Sequence, residues 1–268
     1  GLGDILLLPF SHDKNSFPYK TKYEKDSQVA TAGYYSVVLP DENIQAEMTT
    51  TQRTAFYRFI YKASDEPRQL LLDLQNGIAG WGKNVNQLVL SATMQTPNAY
   101  TITGYNDIEA WVHRRCFYAI EFDKPFQTKK SLPNQPDQKA ERLVLSFDAD
   151  TLLVKVGLST VSVEGALQSL KKENSQWNFD NVRNENQAEW NKQLSVIDID
   201  GTDEEKVNFY TSLYHAFIQP NNLADTDGQY RGADDSIAHS ISGNYYSTFS
   251  LWDTYRALHP LYTLIMPS

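Results

Sequence analysis

The chain has 268 residues, of which 33 are aspartate or glutamate and 24 are lysine or arginine. Because phosphate binding needs clustered basic side chains and no basic run stands out, this acidic balance argues against a nucleic-acid partner. The single cysteine, Cys116, excludes an intrachain disulfide, and no apolar run reaches the roughly 18 residues of a membrane span.

The first 160 residues predict β-strands separated by short turns. The runs are rich in valine, tyrosine, threonine and phenylalanine, and turn-forming pairs such as Pro40-Asp41 and Asn106-Asp107 separate several of them. The predicted strands are 3–9, 28–39, 44–51, 54–61, 69–74, 87–92, 99–105, 111–122, 142–147 and 152–158. This succession is typical of an antiparallel sandwich. Segment 123–139, with three prolines, predicts a long exposed loop.

Helical spacing replaces strand alternation after Gly157. Ser162 precedes a first apolar stripe, and a second helix is predicted around Trp190, Leu194 and Ile197. The third has a capping-box start, Thr202 to Glu205. Its predicted buried stripe consists of Val207, Tyr210, Tyr214 and Phe217.

The resulting fold class is multidomain β + α, in three parts. A β-sandwich domain covers 1–160, a helical linker 161–200, and the start of an all-helical domain 201–268. Two or three helices cannot enclose a core, so they either pack on the sandwich or belong to a domain that continues past Ser268, which we prefer. The opening GLGDILLLPF has neither an initiator methionine nor a signal peptide and predicts an internal fragment.

The last predicted helix begins near Ser250 and has two faces. Its apolar stripe consists of Leu251, Tyr255, Leu258, Tyr262 and Ile265, and its polar face carries Trp252, Asp253, Arg256 and His259. Pro260 lacks the amide that would bond to the Arg256 carbonyl, which predicts a kink. The polar face fits either a capped helix with an Asp253–Arg256 pair or a sugar-binding surface, and residue types alone favour neither.

Other chemical patterns are weaker. Asp225-Thr226-Asp227-Gly228 clusters oxygens as a calcium loop does, but it lacks the bidentate glutamate, so ordinary turn chemistry is the preferred interpretation. The five histidines have no zinc spacing. Cys116 is interpreted as a buried structural residue rather than as a thiol nucleophile. No pair of carboxylates stands out as a catalytic acid and base.

Seven segments, in order, resemble the bacterial α-mannosidases of glycoside hydrolase family 92. They are GLGDILLLP (1–9), ATAGYYSVVLP (30–40), LLDLQNGI (71–78), KVGLSTVSVEGA (155–166), FYTSLYHAFIQPN (209–221), ADTDGQYRG (224–232) and YSTFSLWDTYRALHPLYTLI (246–265). They extend over essentially the whole chain. One departure is Ala32-Gly33-Tyr34, where the family usually has Pro-Gly-Tyr.

The resemblance implies a sandwich, a helical linker and an (α/α)6 catalytic barrel. It also implies a bacterial, calcium-dependent, inverting exo-α-mannosidase that acts on mannose-containing glycans and is periplasmic, secreted or located at the cell surface. Trp252 and Asp253 are then expected at the terminal mannose subsite, with Arg256 supporting Asp253 and Arg231 approaching the same cleft. The family's acid, base and most calcium ligands are expected beyond Ser268, so no catalytic or metal-binding residue is assigned here.

Two other functions stay open at this stage. A non-catalytic carbohydrate-binding sandwich would keep its mannose binding after deletion of the residues beyond about 200. A disaccharide phosphorylase, which combines the same two folds, would release sugar phosphate in a phosphate-dependent reaction. The sequence does not give the linkage preference or the oligomeric state.

Overall fold

The computed structural model describes residues 4–11, 21–62, 66–75, 88–109, 113–132 and 139–266. Two antiparallel sheets face each other, which confirms the predicted sandwich. In spatial order the smaller sheet consists of β1 (Leu6–Phe10), β6 (Arg68–Asp73), β11 (Arg142–Phe147) and β10 (Thr128–Ser131). The larger consists of β2 (Val29–Thr31), β3 (Tyr34–Leu39), β4 (Ile44–Thr50), β5 (Thr54–Tyr61), β12 (Thr151–Ser159), β9 (His113–Phe122), β8 (Thr101–Glu109) and β7 (Leu88–Asn98).

Three strand and turn predictions were wrong. Asn106-Asp107, predicted as a turn, lies inside β8, where both residues pair with β9. The segment 28–39 is not one strand but a hairpin, because Gly33 takes a φ of +80° in the two-residue turn between β2 and β3. The predicted loop 123–139 contains β10, whose backbone pairs with β11 although its side chains are exposed. Residues 3, 87 and 111, where three predicted strands begin, lie outside the described residues.

The core lies between the two sheets. Leu70, Leu72 and Leu74 enter it from β6 and the residue after it, while Phe59 and Tyr118 enter it from the larger sheet. Alternate residues point to opposite faces of a strand, so Leu71 instead joins a second apolar cluster on the other face of the smaller sheet. Each fully buried aliphatic or phenyl side chain contributes about 1.5–3 kcal/mol of transfer free energy.

Two helices, α1 (Val163–Glu173) and α2 (Phe179–Leu194), cover the outer face of the larger sheet. In α1, Ala166 and Leu170 pack on Ala119 of β9. The start of α2 packs Phe179 on Phe56 of β5. These two linker helices therefore pack onto the sandwich, and a helical domain that begins after residue 200 and continues past Ser268 stays a prediction.

The second helix begins earlier than predicted. Its first residue is Phe179, because Asn178 caps it by accepting a hydrogen bond from the Asn181 amide, and Ile197 lies beyond its end. The connection before it is fixed by the buried Lys155, whose Nζ donates to the Asn174 carbonyl at 2.6 Å. The ammonium also lies 4.0 Å from the ring centroid of Trp177. Burial lowers the pKa of Lys155 to about 8.

The third helix, α3 (Asp203–Phe217), has the predicted capping box between Thr202 and Glu205. Its predicted buried stripe was wrong, because Val207 is 64% exposed and Leu213 is its buried residue. The helix meets α2 through the rings of Trp190 and Tyr214, whose centroids are 4.7 Å apart. Little else among the described residues covers it, so its apolar side chains stay partly in solvent.

A small hairpin and two short helices complete the described chain. The hairpin consists of β13 (Gln229–Arg231) and β14 (Ile237–His239), and the helices are α4 (Leu251–Thr254) and α5 (Leu258–Ile265). The predicted kink becomes a break at 255–257, with Pro260 in the first turn of α5, where its missing amide has no helical partner to lose. None of the described helices combines the length and the apolar character needed to cross a bilayer.

Candidate functional site

Trp252 and Asp253 lie on the single turn of α4 and face solvent. The indole of Trp252 is 84% exposed, and the carboxylate of Asp253 is also exposed. The Asp253 amide donates to the Ser250 carbonyl at 3.1 Å, while the Ser250 side chain makes no capping hydrogen bond. An indole face and a neighbouring carboxylate therefore stand open together, an arrangement suited to the apolar face and hydroxyls of a sugar.

Arg256 follows the end of α4 and is not paired with Asp253. Its Nε donates to the Tyr255 hydroxyl at 2.6 Å, and the guanidinium lies 5.4 Å from the Tyr255 ring centroid. Within the described residues no ion pair joins Arg256 to Asp253, because the helix ends at Thr254 and the i,i+3 geometry is lost. The role of Arg256 in supporting Asp253 stays a prediction.

Arg231, at the end of β13, bridges the hairpin and the sandwich. Its Nε donates to the Thr160 carbonyl at 2.8 Å, and its Nη1 donates to a carboxylate oxygen of Asp235 at 2.9 Å. The guanidinium lies 5.9 Å from the Phe117 ring centroid on β9, and its side chain is only 16% exposed. Among the described residues no hydrogen bond connects it to Asp253, so their meeting at one cleft stays a prediction.

The apolar stripe of the last element packs only in part. The Tyr262 hydroxyl of α5 donates its hydrogen at the end of α3. Two backbone carbonyl oxygens lie within reach there, that of Ala216 at 2.5 Å and that of Gln219 at 2.6 Å. Its ring lies near that of Phe217, with centroids 6.0 Å apart. Leu251, by contrast, is 64% exposed. The element is thus anchored at α5, while α4 is left open.

The turn Asp225–Gly228 does not fit a calcium ion. Asp225 accepts a hydrogen bond from the Ser159 hydroxyl at 2.6 Å, and burial raises its pKa to about 6. Both oxygens of Asp227 accept hydrogen bonds from Gln229. Across the described ranges, no three histidine, cysteine or acidic side chains are grouped as metal ligands. The preferred turn interpretation therefore accounts for these contacts, and no calcium ligand is assigned in this part of the chain.

Cys116 lacks the surroundings of a thiol nucleophile. Burial raises the pKa of its thiol to about 12, which keeps it protonated at neutral pH. The nearby His113 is hydrogen-bonded to Asp107 at 2.7 Å, and Arg115 donates to the other oxygen of the same carboxylate. These contacts favour the structural roles predicted for Cys116 and His113.

Sequence reasoning missed the residues that hold the hairpin segment in place. Ser159 and Thr160 at the end of β12, and Arg53 before β5, all contact residues between 223 and 231. The Arg53 and Ala224 partners are 171 positions apart in sequence. Local periodicity carries no signal for such a contact.

Two family models match the chain, one before and one after residues 160–164. Residues 1–159 match the N-terminal domain of glycosyl hydrolase family 92, and residues 165–268 match its catalytic domain.

Several known proteins are similar to this chain. A family 92 α-mannosidase from Bacteroides thetaiotaomicron shares 30% identity, with a TM-score of 0.88, over 98% of this chain and 38% of its own. A structure titled as that enzyme in complex with mannoimidazole gives 29% identity, a TM-score of 0.88, and 98% and 37% coverage. An uncharacterized secreted glycosidase of Arthroderma benhamiae is 22% identical over 94% of this chain and 35% of its own length. The chain thus spans well under half the length of these relatives.

Proposed function

The chain belongs to glycosyl hydrolase family 92, and from this membership we propose that it forms part of an inverting exo-α-mannosidase. The observation that supports the proposal is the similarity, at about 30% identity, to two structures of a family 92 α-mannosidase, one of them in complex with mannoimidazole. The proposed substrates are glycans with terminal α-mannose, such as α-1,2-linked residues. A relative described as secreted supports export from the cell.

In this proposal the exposed face of α4 binds the terminal mannose. The Trp252 indole covers the apolar face of the sugar ring, and Asp253 accepts hydrogen bonds from its hydroxyls. Arg231 contributes from the hairpin, and Arg256 acts through Asp253. An inverting glycosidase also needs an acid at the leaving oxygen and a base at the attacking water, and neither role is assigned to a residue of this chain.

Exposed apolar side chains support a larger helical domain around α3, α4 and α5. Eleven large hydrophobic side chains between residues 196 and 266 remain exposed: Val196, Val207, Ile218, Ile237, Ile241, Tyr246, Leu251, Trp252, Tyr255, Leu264 and Met266. Such a concentration is unusual on a finished surface and typical of helix faces that pack on further elements. We propose that these helices begin an (α/α)6 barrel.

The test of the proposed site is Asp253→Asn and Asp253→Ala in the full-length protein. Each change is expected to lower kcat/KM for an α-mannoside more than tenfold, or by about 1.4 kcal/mol of transition-state stabilisation, because the hydroxyl contacts are lost. Asp198→Asn, at another exposed aspartate, is the matched control. Steady-state kinetics of well-folded Asp253 variants that equal those of the wild type would remove Asp253 from the site.

Calcium dependence is a separate prediction for the full-length protein. Chelation is expected to abolish α-mannosidase activity, and added calcium, but not magnesium, is expected to restore it, because the larger ion accepts more oxygen ligands. Activity assays before and after EDTA treatment measure this directly. Full activity in a metal-free preparation would contradict the prediction.

A further inference from the structure

The end of β12 holds the hairpin segment through two consecutive residues. Ser159 donates its hydroxyl hydrogen to Asp225 at 2.6 Å, and Thr160 donates to the Leu223 carbonyl at 3.2 Å. The Arg231 side chain returns to the Thr160 carbonyl at 2.8 Å, and its backbone amide donates to the Thr160 hydroxyl at 3.4 Å. Segment 223–231 is therefore fixed to the sandwich at both of its ends.

The Ser159 hydroxyl needs an acceptor for its hydrogen, and Asp225 is that acceptor. Its oxygen already accepts hydrogen bonds from the backbone amides of Val161 and Ser162, at 2.9 and 3.1 Å. A hydroxyl has two acceptor lone pairs and one hydrogen, so its hydrogen must be donated outward, and Asp225 receives it. Asp225 is only 4% exposed, so water is a poor substitute for this partner.

Gly165, in the first turn of α1, leaves the space that Asp225 occupies. A β-carbon on Gly165 would lie 2.1 Å from Oδ2 of Asp225 and 2.7 Å from the Ser159 hydroxyl oxygen. Glycine within a helix is about 1 kcal/mol less favourable than alanine. The close approach of the Asp225 carboxylate explains why glycine, although unfavourable in a helix, occupies position 165.

The Asp225 contact is continuous with the proposed substrate site. The Asp225 amide donates to the Gln229 carbonyl at 2.8 Å, which closes the turn that leads into Arg231. The Leu223 amide donates to the Tyr245 carbonyl at 2.7 Å, just before the chain enters α4. Displacement of Asp225 is consequently expected to move the strand that carries Arg231, whereas the connection to the segment before α4 runs through Leu223.

We propose that Ser159, Gly165 and Asp225 form a joint between the sandwich and the hairpin segment, and that Asp225 is a positioning residue for Arg231. The proposal rests on the proposed substrate role of Arg231. Ser159 belongs to the region matched by the N-terminal family model, and Gly165 and Asp225 belong to the region matched by the catalytic-domain model. The joint therefore holds these two regions together. Asp225 itself does not need to contact the sugar.

The first experiment tests the joint without any substrate. Gly165→Ala, normally a stabilising change in a helix, is expected to lower the melting temperature because its methyl group displaces Asp225. Hydrogen exchange at the amides of Asp225 and Gly228 is expected to become at least about tenfold faster, since local opening of the segment is easier. Gln168→Ala, on the exposed face of α1, is the control and should change neither. A Gly165→Ala protein with a raised melting temperature and unchanged exchange would overturn the joint.

The second experiment tests positioning through a double-mutant cycle in the full-length protein. Asp225→Ala and Arg231→Ala are each expected to lower kcat/KM about tenfold, while the double variant should be no worse than Arg231→Ala alone. Asp225→Asn keeps an acceptor for Ser159 and is expected to restore activity. Additive losses, or no rescue by asparagine, would overturn the positioning role. A wild-type protein without α-mannosidase activity would refute the proposed function, and the joint would still be judged by hydrogen exchange.

Discussion

Arg58→Ala is expected to destabilise the protein by about 3–5 kcal/mol, because it leaves a buried carboxylate without its counter-ion. The guanidinium of Arg58 donates to both oxygens of Glu47, at 2.5 and 3.0 Å, and reaches Asp180 of α2 at 2.9 Å. It also lies 4.4 Å from the ring centroid of Phe179, which α2 packs on the sheet. One side chain thus joins β4, β5 and α2.

The pKa of Glu47 shows how strongly this carboxylate depends on its partners. Burial alone would raise the pKa, but hydrogen bonds from Arg58 and Tyr34 outweigh it and hold the pKa below its ordinary value. The Tyr34 hydroxyl donates to Glu47 at 2.6 Å. Without Arg58, the Glu47 carboxylate would retain only the Tyr34 hydroxyl as a hydrogen-bond donor, although Glu47 is just 4% exposed.

Urea unfolding measures the expected loss as a lower midpoint at an unchanged slope. The matched control is Arg68→Ala, which removes an arginine paired with the exposed Asp150 and is expected to cost at most about 1 kcal/mol. Removing both charges in Arg58→Met with Glu47→Leu should cost less than Arg58→Ala alone. Equal losses for Arg58→Ala and Arg68→Ala would contradict the prediction.

Features encoded by neighbouring residues were predictable from the sequence. The capping box at Thr202 and the helix start at Ser162 are local patterns, and both are present. The alternation around Phe56, Arg58 and Ile60 predicted β5, because strand faces repeat every two residues. The turn at Gly33 was missed because the flanking runs are both rich in β-forming residues, so the strand pattern continues across it.

Features that depend on distant partners were not predictable. Val207 fits a helical apolar stripe, but the described chain offers it no covering element. Arg58 and Asp180 are 122 positions apart, and Ser159 and Asp225 are 66 apart, so no window of the sequence shows either contact. The polar face of the last helix singled out Trp252 and Asp253, the family resemblance implied their place at a mannose subsite, and the structure adds that both are exposed.

The joint at Asp225 has an expected pH signature that Asp225→Asn should remove. Burial raises the pKa of Asp225 to about 6 from a model-compound value of 3.8, with a further increase from Asp227, while the hydrogen bond from Ser159 and the charge of Arg53 oppose it. Between pH 4 and 6 the folded state then binds more protons than the unfolded state. Stability gained from the protonated carboxyl is therefore complete below about pH 4 and is lost as the pH rises towards 6.

The free energy of unfolding of the wild type, relative to Asp225→Asn, is thus expected to fall by about 2 kcal/mol between pH 4 and 6 and to become constant above about pH 7. Asp227→Asn is a control of opposite sign. Hydrogen bonds from Gln229 lower the pKa of Asp227, so its contribution is present above about pH 4 and is lost as the pH falls further. Urea titrations of the three proteins from pH 3.5 to 8 separate the two carboxylates. A difference between the wild type and Asp225→Asn that does not change with pH would mean that Asp225 stays ionised over this range, and it would contradict the prediction.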